Sequence, residues 1–188
     1  MNNLLGYRFL IFNALAVALA AALWLNGLVR PVIEGGAPIT WGILALFVIG
    51  WTWTLKEIVV VSSGLNEATQ IGATPAVEAE AAKDTAKVAW LSNVAEWLVA
   101  LGLLGTVIGF ASALAAVDQS TLGSADGAQA AVGTLMAGMR IAINTTLLGA
   151  ALALWHEVNT RMLKTALAVY WGDRMAAERG VGNVRAVD

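Results

Sequence analysis

The chain has 188 residues, of which 59% are hydrophobic and 13% charged, with a net charge of −2 and no cysteine. A soluble domain carries about 25% charged residues, so lipid must be the main solvent, and the length leaves room for one membrane domain with short tails rather than an added soluble catalytic domain. Scattered Lys and Arg argue against nucleic-acid binding and against a polybasic lipid patch, and the lack of cysteine excludes disulfides, thiolate catalysis and Cys-based metal sites.

Between Arg8 and Arg30 lie 21 uncharged residues, close to the ~20 a helix needs to cross hydrocarbon. The run ends in Trp24 and Asn26 rather than a small-residue cleavage site, so it reads as a retained first span and not a signal peptide. Pro31, Gly35, Gly36 and Pro38 break the helix, and a second span starts at Ile39 and stays uncharged to Lys56 and Glu57. Ser62 to Ala89 is polar and rich in Ala, Glu and Lys. Thr74 as N-cap and Pro75 at the first helical position start a third helix there. With no breaker before Asp118, that helix runs on through the apolar stretch Trp97 to Val117, about 60 Å at 1.5 Å per residue.

Asp118 to Gly127 reads as an external loop. A fourth span, roughly Ala130 to Trp155, continues as an amphipathic helix until Gly180 and Gly182 end it. The expected fold is all-α, with four transmembrane helices of which the third and fourth extend into the cytoplasm. The expected organisation is 1–62 for spans one and two, 63–91 for a cytoplasmic helical linker, 92–160 for spans three and four, and 161–188 for a cytoplasmic helix and tail. Arg8, Lys56, Lys83, Lys87 and the basic residues after span four share one side, with only Arg30 opposite, so both termini are expected in the cytoplasm. Trp24 and Trp41 mark the outer interface, and Trp51, Trp53, Trp90 and Trp155 the inner one.

Helical spacing puts Gly102, Thr106, Gly109 and Ala113 on one face of span three. Span four repeats the design with Gly138, Ala142, Thr146, Gly149 and Ala153 on one stripe, and Asn144 and Thr145 beside it. Small residues let backbones approach closely in lipid, and a Thr hydroxyl can bond back to its own helix, so packing explains any single Thr. The pairing of two such faces also suits a hydrated, hydroxyl-lined path. Hydroxyls can hold water or a cation but cannot carry a proton charge at neutral pH. Leu98 to Val117 and Ile141 to Leu154 contain no Asp, Glu or His, so a titrating group on this path must come from another chain.

At these residues the sequence resembles the MotA/TolQ/ExbB proton-channel family. Leu101-Gly102-Leu103-Leu104-Gly105-Thr106-Val107-Ile108-Gly109 looks like its signature helix, and Ala142-Ile143-Asn144-Thr145-Thr146-Leu147-Leu148-Gly149 is similar to its final helix. The resemblance implies a bacterial inner-membrane homopentamer around two copies of a MotB/TolR/ExbD-like single-span protein, whose Asp carries H+ or Na+ and around which the ring rotates. It implies an ion pathway at Thr106, Thr145, Thr146 and Asn144, with Gly102, Gly105, Gly109 and Gly149 packing the helices, and no cofactor beyond the transported ion. The Ser62 to Ala89 stretch lacks the large loop of flagellar members, which argues against flagellar torque. The Glu and Pro that ExbB and TolQ members carry near Arg140 and Trp155 are also missing.

Arg140 is costly within a span, by about 2.5–3.5 kcal/mol on insertion scales. It either reaches the outer headgroups or pairs with Asp118 or Asp126, or else these three form an ion entrance or partner contact. Glu96 reads as an interfacial charge. His156 and Glu157 adjoin at the inner boundary and read as a solvated polar pair, since one His without Cys makes no metal centre. No GxSxG, HExxH or phosphate loop supports an enzyme. The competing reading is a partner-independent small transporter or a structural homo-oligomeric scaffold.

Overall fold

The computed structural model describes residues 4–35, 38–67, 76–117 and 124–185, with side chains over 7–35, 38–60, 82–117 and 124–172. Regular structure among the described residues is entirely helical: α1 (Leu4–Leu25), α2 (Arg30–Glu34), α3 (Ile39–Glu67), α4 (Ala76–Ala115) and α5 (Ala125–Arg185). Four of these helices are long and apolar enough to cross a membrane. Thr74, Pro75 and Asp118 lie outside the described residues.

α1 ends at Gly27, whose φ of 73° is open to glycine without strain. The Leu28 N–H then donates to the Leu23 carbonyl at 3.0 Å and the Gly27 N–H to that of Trp24 at 2.9 Å, closing the last turn on itself. The expected break after span one is therefore present, but Pro31 does not make it. Pro31 instead sits in the first turn of α2, where its fixed φ suits a helix start and its missing N–H would have had no partner.

α4 is 40 residues long, and α5 runs 61 residues without interruption. At 1.5 Å per residue they are about 60 and 92 Å, against about 30 Å of hydrocarbon. Two expected boundaries of α5 move. It begins at Ala125, because the Ser124 hydroxyl accepts the Gly127 N–H at 3.1 Å and caps it, so Asp126 and Gly127 belong to its first turn and not to a loop. It also passes through Gly180 and Gly182, since a helical glycine costs only about 1 kcal/mol relative to alanine and no proline follows.

α4 and α5 pack antiparallel along most of α4. Their shared core continues into α3 as two buried clusters, one around Ile43, Val94, Leu98 and Leu152 and one around Ile58, Leu91, Leu163 and Trp171. α1 packs on the rim of this core, giving Phe9 to the second cluster and leaving Leu10, Leu15 and Leu19 exposed as suits a lipid-facing helix.

Candidate functional site: the hydroxyl seam between α4 and α5

The two small-residue stripes face each other within one chain. A methyl added at Gly102 would lie 3.1 Å from the Thr145 carbonyl, and one at Gly149 would lie 2.7 Å from that of Leu98 and 3.0 Å from the Gly102 Cα. One at Gly109 would lie 2.8 Å from the Gly138 carbonyl and 2.9 Å from the Ala142 nitrogen. Gly105 faces the Thr145 side chain directly. Apolar side chains gain little by leaving lipid for one another, so close backbone approach and its dispersion contacts hold this pair.

Within the seam the Thr106 and Thr146 hydroxyls hydrogen-bond to each other across the helices. Each also lies 3.2 Å from the Gly102 carbonyl, and Thr106 Oγ1 lies 3.4 Å from that of Ala142. Two carbonyl oxygens, those of Gly102 and Ala142, thus flank a pair of hydroxyls whose residues are half-buried. Such a group can pass a hydrogen bond to, or hold water against, a carboxylate brought beside it.

The other two residues expected on the path, Thr145 and Asn144, are not part of this hydroxyl pair. Thr145 is 0% exposed, closed in by Gly105, and donates within its own helix to Ile141 at 3.0 Å and Ala142 at 3.1 Å. Asn144 turns toward α2 and donates to the Pro31 carbonyl at 3.1 Å, tying that short helix to α5.

Arg140 is exposed on α5, beside the C-terminal end of α2: a methyl at Gly35 would lie 3.4 Å from its Nε. It makes no ion pair among the described residues. Pairing with Asp126 within the chain is ruled out, since the two stand 14 residues apart on one helix, about 21 Å along its axis. At that end of the molecule the only ion pair among the described residues is Arg30 with Glu34, 2.7 Å and exposed, in which the carboxylate raises the guanidinium pKa.

His156 is not solvated. It lies on the continuation of the Thr146 stripe, is 0% exposed, and its Nε2 meets the Leu91 carbonyl at 3.0 Å. Glu157 points outward instead and pairs with Arg161 at 2.8 Å. Counting 146, 149, 153, 156 and 160 along the helix would have placed His156 on the seam.

A second polar site was missed from the sequence. The Asn13 carbonyl oxygen, in the middle of α1, accepts from Trp51 Nε1 at 3.0 Å, Trp155 Nε1 at 2.9 Å and Asn159 Nδ2 at 3.3 Å. Its amide donates to Phe9 at 2.9 Å and to Asn159 Oδ1 at 2.8 Å. The available signal was Asn13 itself, an amide inside an otherwise apolar span, where an unpaired polar group is costly.

Residues 54–170 match the model of the MotA/TolQ/ExbB proton channel family. The match covers more than half of the chain and includes both stripes, and the protein belongs to this family. No curated protein and no solved structure matched the chain.

Proposed function

We propose that this protein is the ion-conducting subunit of a rotary, energy-transducing membrane complex. In this reading five copies form a ring around two copies of a MotB/TolR/ExbD-like single-span protein, in a bacterial inner membrane with both termini of the present chain cytoplasmic. The partner's Asp carries H+ or Na+ past the Thr106–Thr146 pair, and ion flow turns the ring.

The observation that carries the reading is the hydroxyl pair. It joins the two helices of the seam, both its residues are only half-buried, and the apolar stretches around it contain no titrating group of their own. A carboxylate from a second chain completes the site, because hydroxyls alone cannot take up the charge of a proton.

The test is ion flux in proteoliposomes containing this protein and its single-span partner, read beside the native mass of the complex. Thr146→Val keeps the shape and removes the hydroxyl; it is expected to abolish flux and leave the mass unchanged, whereas Thr146→Ser retains flux. Normal flux in Thr146→Val removes the hydroxyl pair from the path and leaves it a packing role. A partner-free dimer or trimer would favour the scaffold reading.

A further inference from the structure

A cavity of about 470 Å³ opens between α3 and α4, where their apolar stretches give way to charge, and is lined by Trp53, Lys56, Glu57, Lys87, Trp90 and Leu91. The Trp53 and Trp90 rings meet with centroids 4.6 Å apart, and Trp90 stands edge-on to Trp97 at 5.9 Å. Trp53 remains 52% exposed and Trp90 36%, while Leu91 beneath them is fully buried. The site therefore has an apolar floor, amphipathic indole walls and a charged rim, the order in which a bilayer passes from acyl chain to headgroup.

Among the described residues the rim carries two lysines and one carboxylate, net positive by one charge. Lys56 has no ion-pair partner among the described residues, and Lys87 shares only an exposed contact with Asp84 at 3.3 Å. The lysines are 31 positions apart and form no basic run; folding brings them to one cavity from two helices. A single monoanionic phosphate would neutralise this rim, with its glycerol backbone against the indoles and its first methylenes toward Leu91.

We propose that the cavity binds an anionic glycerophospholipid, which joins α3 to α4 at the membrane boundary. The inference is independent of the ion pathway, since none of its residues touches the hydroxyl seam.

The test uses the full chain in phosphatidylcholine vesicles that contain a minor fraction of either brominated phosphatidylglycerol or brominated phosphatidylcholine. The signal is the quenching of Trp53 and Trp90, taken as the difference between the wild type and a Trp53→Phe/Trp90→Phe variant. Brominated phosphatidylglycerol is expected to be enriched at this pair about fivefold over the zwitterionic lipid. Lys56→Gln/Lys87→Gln is expected to remove the excess while leaving quenching by brominated phosphatidylcholine intact, which shows that the variant is still folded in the bilayer. Lys56→Arg/Lys87→Arg is expected to keep the excess. Equal quenching by the two lipids in the wild type, as when a second copy covers the cavity, overturns the proposal. So does an excess that survives Lys56→Gln/Lys87→Gln, or one that millimolar inorganic phosphate displaces, which would identify a soluble phosphate as the ligand.

Discussion

α4 and α5 meet over Gly102, Gly105, Gly109, Gly138 and Gly149, so their contact is made by backbone where side chains are missing. α1 meets α3 and α5 at Phe9 and, one turn on, at Asn13, where one amide takes up two indoles and a second amide. The difference shows the two means by which lipid-embedded helices can be held in one register. One is proximity, which tolerates no added atom; the other is polar satisfaction, which tolerates no lost atom.

The largest effect is expected where an atom is added to the seam. Gly149→Leu drives a side chain into the Leu98 carbonyl and the Gly102 backbone, and should destabilise by more than about 3 kcal/mol, read as loss of folded protein in detergent. Removing atoms from the clamp comes next. Asn13→Leu abolishes four interhelical hydrogen bonds and should lower stability by about 2 kcal/mol, with hydrogen exchange rising in α1 before α4 or α5. If α4 and α5 exchanged first instead, the two contacts would not be separate devices. Asn144→Ala breaks one partly exposed bond to α2 and should cost less than about 1 kcal/mol, seen as faster exchange confined to the α2 segment. The smallest effect sharpens the contrast: Gly133 lies on the same helix as the seam glycines but has nothing within 4 Å of an added methyl. Gly133→Ala should be neutral or stabilising by up to about 1 kcal/mol in the same unfolding assay.

The spans and the two stripes were legible because both are periodic features of single helices. Apolar length and the spacing of Gly, Ala and Thr survive in one dimension. The register between the stripes was not legible, because nothing in either helix alone says that Thr146 meets Thr106 while Thr145 meets Gly105. Thr145 and Asn144 therefore appeared equivalent to Thr146, and folding sent one into a closed packing site and the other to Pro31. The Asn13 clamp joins positions 38, 142 and 146 residues apart, so its partners could not be read from spacing, although the lone amide in span one signalled that partners were required. The end of α1 was misattributed for a simpler reason. Proline is the conspicuous breaker, but a glycine that can turn left-handed stops the helix first.

The unbroken course of α5 has a mechanical corollary. From Thr146 to Arg185 the helix continues for 39 residues, a rod of about 58 Å that stays packed to α3 and α4 through Leu152, Leu163 and Trp171. A tilt of about 5° at the seam would sweep its far end through about 5 Å, roughly one helical pitch. A small tilt of the packed helices at the pair would thus reach the distal end of α5 enlarged to the size of a side chain, because α5 is continuous.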